Sequence, residues 1–161
     1  MCNFEPNATQ IIRNLWLGNG NAALDINFLN KNNIQYIVNI TPDIPCVFNH
    51  INYLQFGVYD YQLCGRSETI NDIDHIVKFM RNGLSQGGLL VHCKHGHHRS
   101  ASIVLAYLLK YTPLTFNEGC QYIRSKRPCA LAKWKHILMY VYRYYLLMKN
   151  NGFNKHQLHV V

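Results

Sequence analysis

One stretch constrains this chain more than any other: Val91-His92-Cys93-Lys94-His95-Gly96-His97-His98-Arg99-Ser100. It follows a Gly-Gly-Leu-Leu-Val run that reads as a short buried strand. It leads straight into Ala101-Ser102-Ile103-Val104-Leu105-Ala106-Tyr107-Leu108-Leu109, a helix apolar nearly all round and therefore expected in the middle of a domain. The loop between them has the spacing Cys-x5-Arg. Wrapped around an anion, so short a loop aims consecutive backbone N–H groups at its centre. The helix start behind it adds further donors and the positive end of its dipole. The same field favours the thiolate of Cys93, the nucleophilic form of the side chain. Gly96 permits a turn that a β-carbon would obstruct. Arg99 supplies a planar fork able to hold two anion oxygens. The plain alternative for Cys93 is a buried structural cysteine, the common fate of a lone one.

The rest of the chain sets bounds. At 161 residues it suits one domain with a real core, and 48% hydrophobic content is too much for a disordered chain. No apolar run is long enough to span a bilayer, so no transmembrane segment is expected. Met1-Cys2-Asn3-Phe4-Glu5-Pro6 lacks the basic-then-apolar order of a signal peptide, which points to an intracellular protein of the cytoplasm or nucleus. The six cysteines (Cys2, Cys46, Cys64, Cys93, Cys120, Cys129) have no Cys-x-x-Cys spacing, and a reducing compartment suits them better than a disulfide framework. A net charge of +8 fits anionic partners such as phosphorylated protein, nucleic acid or acidic lipid, but it also fits ordinary solubility.

Read in order, Gln10–Arg13 and Leu15–Leu17 suggest a hairpin closed by a turn at Gly18-Asn19-Gly20. Residues 22–32 carry a weak helical period. Ile34–Ile40 has the β-branched, apolar character of a central strand, and Ile51–Phe56 reads as another. Apolar positions 70, 73, 76, 77, 80 and 84 predict an amphipathic helix over 69–84. Thr115-Phe116-Asn117-Glu118 has capping-box spacing and starts a helix that Pro128 must end. A long helix is expected over 131–148. Strands alternate with helices early, and helices alone fill the last third. That order predicts an α/β fold: a small, mostly parallel sheet of four or five strands flanked by helices, with late helices closing one face. The domain is expected over 8–148, with a polar tail over 149–161.

His92-Cys93-x-x-Gly96-x-x-Arg99-Ser100 resembles the signature of the cysteine-dependent protein tyrosine phosphatase superfamily, and more closely its dual-specificity branch. Leu15-Trp16-Leu17-Gly18-Asn19, Ile37-Val38-Asn39-Ile40-Thr41 and Ser100–Leu108 resemble that branch's early strand, central strand and post-loop helix. The matching neighbours weigh against a merely structural Cys93. The resemblance implies a phosphotyrosine-phosphatase-like fold and a cysteinyl-phosphate intermediate formed by Cys93. Arg99 and the loop 94–99 (Lys94, His95, Gly96, His97, His98, Arg99) would bind the phosphate, and Ser100 would ease departure of the thiolate. It also implies a general acid in Val58-Tyr59-Asp60, namely Asp60. The competitors Asp72 and Asp74 fall in the amphipathic helix and read as surface residues. No metal or cofactor is implied, because the loop supplies the electrophilic stabilisation.

The substrate is less constrained. His95, His97 and His98 crowd the loop more than the family usually shows. A zinc site from consecutive loop residues is disfavoured by their diverging side chains. The histidines are either plain rim residues or, with Lys94, an electropositive rim for polyanions. Phosphorylated protein ranks first as substrate, RNA ends second on the resemblance of His95-Gly96 to the loop of RNA 5′-triphosphatases, and phosphoinositide third. The rival of another class is a non-catalytic phospho-binding module. Cys46 or Cys64 would protect the nucleophile only if either approaches it. Arg127-Pro128-Cys129-Ala130-Leu131-Ala132-Lys133-Trp134 keeps the branch's proline but lacks its asparagine, so no role is assigned there. Stand-alone enzymes of this kind include those of large DNA viruses, and the asparagine-rich composition is consistent with such a source.

Overall fold

A computed structural model describes residues 5–57, 69–133 and 136–150. Five strands form one sheet in the order β1-β2-β5-β3-β4. They are β1 (Ala8–Ile12), β2 (Leu15–Gly18), β3 (Ile34–Asn39), β4 (Asn52–Gln55) and β5 (Gly88–His92). β1 runs antiparallel to β2, and every other pairing is parallel. The mostly parallel α/β architecture is thus the one the element order predicts. The middle strand, however, is β5 rather than the Ile34–Ile40 segment, which lies beside it. All five β5 residues are buried, as a strand covered on both faces requires.

Alternate residues of the strands feed two cores. Leu89 and Val91 of β5 face a large cluster with Val38 and Ile40, while Leu90 faces a smaller one with Ile34, Ile37 and Ile51. The small cluster is capped by α1 (Gly20–Leu24) and α2 (Ile26–Lys31). These replace the single helix expected over 22–32. Asp25 divides them, because its carboxylate accepts hydrogen bonds from the N–H groups of Asn27 and Phe28 and so starts a second helix.

The large cluster is covered by α3 (Thr69–Gln86), α4 (Arg99–Tyr111), α5 (Phe116–Lys126) and α6 (His136–Asn150). Ser100 to Lys110 of α4 are all buried, matching its all-round apolar character. Each fully buried Leu or Ile there contributes about 1.5–3 kcal/mol by leaving water. Thr115 and Glu118 make the full capping box, and α5 stops at Arg127, before Pro128.

Three further expectations need correction. The hairpin turn is Arg13-Asn14, with Asn14 at φ 63°, and not Gly18-Asn19-Gly20. Gly18 and Asn19 instead end β2 and cap α1, where the Asn19 side chain accepts from Ala22 N–H. The last helix starts at His136, and Leu131 sits in a left-handed turn at φ 55°. Asp74 is no simple surface carboxylate: it binds Lys110 of α4, Tyr144 of α6 and Lys78. Burial would raise its pKa, but the hydrogen bonds from Lys110, Lys78 and Tyr144 outweigh that and hold it well below the usual carboxylate range.

Candidate active site

Parallel pairing brings the carboxyl ends of three strands into line. Gly18 and Asn39 both stand level with His92. Beyond that edge lies the crevice where open α/β sheets bind ligands, and residues 93–98 turn there into α4. The loop is fastened from both sides. Gly20 N–H donates to the Lys94 carbonyl at 3.3 Å, Ile40 N–H to the His92 carbonyl at 2.9 Å, and Leu131 N–H to the His97 carbonyl at 2.8 Å. The left-handed turn at Leu131 aims that last donor.

The Cys93 sulfur lies at the base of this loop, with the residue 3% exposed. It accepts hydrogen bonds from Gly96 N–H at 3.3 Å and from the Ser100 hydroxyl at 3.2 Å. Gly96 has φ 71°, and a β-carbon there would stand 2.6 Å from the Gly18 carbonyl oxygen. Only glycine meets both conditions. His98 is the N-cap of α4 and makes no side-chain capping hydrogen bond to the helix start. Arg99 is half-buried, and its Nη1 donates to the Ile40 carbonyl at 3.4 Å, which ties the guanidinium to the end of β3. Burial pushes the His92 imidazole down to about 4, so the residue before Cys93 is neutral at physiological pH.

The structure brings Cys93, Gly96, Arg99 and Ser100 together. Lys94 and His95 are exposed on the rim, and His97 and His98 are half-buried. His97 points its Nε2 at Glu5, 3.2 Å from Oε2, so that nitrogen faces a carboxylate near the start of the chain. Asp60 and Cys64 lie outside the described residues. Cys46 is an exposed free thiol, 3.8 Å from the Asn39 amide nitrogen.

Two residues near the loop carry no sequence-level signal. Arg127 is 1% exposed. Its Nε donates to the Gly96 carbonyl at 3.0 Å, and its Nη1 donates to the Pro6 carbonyl at 2.8 Å and the Thr9 hydroxyl at 3.1 Å. Glu5 faces it at 3.2 Å, and the other carboxylate oxygen accepts from Cys129 N–H at 2.6 Å. Neither could be found from spacing: Glu5 is a lone acid near the start of the chain, and Arg127 ends a helix where a solvated cation is ordinary. Glu5, His97 and Cys129 bring possible metal donors within 4.8 Å of one another. They do not make a cation site, because Cys129 is disulfide-bonded and Glu5 is already matched to Arg127. That disulfide also departs from the expectation of reduced cysteines.

The chain matches the model of the dual specificity phosphatase catalytic domain over residues 15–144. It is 33% identical over 150 residues to human dual specificity protein phosphatase 21, covering 89% of this chain and 75% of that one. To dual specificity protein phosphatase 18 of Rattus norvegicus it is 31% identical over 140 residues, covering 84% and 67%. The crystal structure of human DUSP28 superposes with a TM-score of 0.80 at 22% identity, over 91% of this chain and 97% of that one, a likeness of fold. The chain belongs to the dual specificity phosphatase family, the cysteine-dependent protein phosphatases to which its loop motif points.

Proposed function

We propose that this phosphatase hydrolyses phosphotyrosine and phosphoserine or phosphothreonine on protein, with Cys93 as nucleophile, Arg99 and the loop amides as phosphate ligands, and Asp60 as general acid. The observation that carries the reading is the Cys93 sulfur, buried beneath the start of α4 and facing two hydrogen-bond donors. Sulfur attacks phosphorus in line, so an S–P bond forms as the P–O bond to the leaving group breaks. The Asp60 proton goes to the departing oxygen. Water then attacks phosphorus, the S–P electrons return to sulfur, and the Asp60 carboxylate takes the water proton. The Ser100 hydroxyl, 3.2 Å from the sulfur, stabilises the thiolate as it leaves. Arg99 and the amides follow the charge of the equatorial oxygens into the transition state. Lys94 and His95, exposed beside the loop, favour anionic flanking groups on the substrate.

The test compares wild type with Cys93→Ser on an aryl phosphate, on phosphopeptides, on triphosphate-ended RNA and on a phosphoinositide. Turnover of tyrosine and serine phosphopeptides, lost by about 10⁴-fold or more in Cys93→Ser, is the expected result. Wild type that binds phosphopeptide without turnover would make it a binding module, and faster release from RNA ends or phosphoinositide would move the substrate class. Asp60→Ala should slow phosphoserine peptides by about 10²–10⁴-fold and an activated aryl ester far less. Equal, negligible losses on both would remove Asp60 from the mechanism.

A further inference from the structure

We infer that Arg127 and Glu5 are positioning residues for the catalytic loop: together they hold the Gly96-His97 segment from behind and so set the aim of the amides that bind phosphate. The inference rests on Cys93 chemistry as proposed above and extends it to residues outside the motif.

The loop has one side facing the anion and one facing the protein. On the protein side a buried guanidinium reaches the Gly96 carbonyl at 3.0 Å. The peptide that carries this carbonyl runs directly to the amide of His97, and Gly96's own amide donates to the Cys93 sulfur. Pulling the carbonyl backwards therefore turns the adjoining amides forwards. The guanidinium is itself fixed by the Pro6 carbonyl, the Thr9 hydroxyl and the Glu5 carboxylate. Glu5 is fixed in turn by Cys129 N–H and pairs with the His97 ring as well. The Leu131 amide holds the next carbonyl, that of His97, at 2.8 Å. Two successive loop carbonyls are thus gripped by one turn, residues 127–131, and the segment 5–9 locks that turn in place.

Charge adds to the geometry. Among the described residues, the titratable groups facing Arg127 are Glu5, Cys93 and His97, and His95 faces His97. Burial lowers the Arg127 pKa while the Glu5 carboxylate and Cys93 oppose that. Glu5 prevents the guanidinium from being an unmatched buried charge. A lysine in its place has a single charged nitrogen and cannot hold the Gly96 and Pro6 carbonyls together.

Glu5→Gln, Arg127→Met and Arg127→Lys decide the matter, with wild type run alongside. The readouts are kcat/KM on an aryl phosphate, competitive inhibition by inorganic phosphate, and the rate of Cys93 alkylation, which needs no turnover. Expected are a loss in kcat/KM of about 10–100-fold for both Arg127 variants and of about 3–10-fold for Glu5→Gln. Weaker phosphate inhibition and slower Cys93 alkylation should accompany each. Folded variants with all three readouts within about twofold of wild type would overturn the inference. Should Arg127→Met fail to fold, Glu5→Gln decides by the same readouts, since glutamine keeps the acceptor for Cys129 N–H. An inactive wild type would instead sink the catalytic reading, and the phosphate and alkylation readouts would still judge this one.

Discussion

Two buried cations with acidic partners flank α4, one near each end, and they do different work. Behind the loop Arg127 pairs with Glu5; toward the other end Lys110 pairs with Asp74. In both the cation is the more deeply buried member, at 1% and 9% exposure against 12% and 31%. Asp74 spends its remaining hydrogen-bonding capacity on Lys78 and the Tyr144 hydroxyl, tying α3 to α6. Arg127 spends its spare donors on two backbone carbonyls, one of them inside the Cys93 loop, and on the Thr9 hydroxyl. A charge pair that holds side chains on helices supports the fold. The same chemistry aimed at a loop carbonyl holds the backbone beside Cys93.

The largest expected separation between the two regions comes from Gly96→Ala. A β-carbon at φ 71° and 2.6 Å from the Gly18 oxygen must displace the loop. We expect kcat/KM to fall by about 10²–10³-fold, measured on an aryl phosphate, with the melting temperature lowered only modestly. An active Gly96→Ala would mean that the loop tolerates displacement, and the contrast between the regions would collapse.

Asp74→Ala should show the opposite profile. It leaves Lys110 buried without its acid, and unfolding stability in urea should drop by about 2–3 kcal/mol, after allowance for the part-exposure of Asp74. kcat/KM should stay within about twofold of wild type. A large loss of activity in a folded Asp74→Ala protein would show that the far cluster also sets the loop.

His92 gives the smallest effect and sharpens the comparison through pH. Its folded pKa, about 4, lies below the ordinary histidine value. Between those two values the unfolded chain binds the extra proton and the folded chain does not, so stability is full above about pH 6.5 and declines as pH falls toward 4. The loss should reach about 2 kcal/mol by pH 5, read from urea unfolding at several pH values, and His92→Asn should flatten it. The Asp74 contribution behaves likewise at lower pH: present above about 3.9 and lost as acid protonates the carboxylate. A wild-type stability that is level from pH 7 to 4.5 would remove His92 from the account.

Much of this was legible in the chain because it depends on neighbours in sequence. Periodicity located α3, the capping box located α5, and the apolar run located α4. The errors share one cause. Asp25 splits a helix, Leu131 precedes one in a left-handed turn, and Asp74 finds Lys110 and Tyr144, each through contacts or backbone geometry that no linear window contains. His97 reads from its position as a rim residue, yet its Nε2 pairs with an acid near the start of the chain.

By itself, then, the sequence determined the class of chemistry. Cysteine, glycine, arginine and serine at set intervals between a strand and a helix are a local arrangement, and local arrangements survive in one dimension. Tertiary structure alone decided what stands behind that loop. A carbonyl of Gly96 has no preference in sequence for Arg127, and Arg127 has none for Glu5. These partners meet because the loop after β5, the end of α5 and the segment before β1 come together in the fold, so the cost of burying each charge is met by a group far away along the chain.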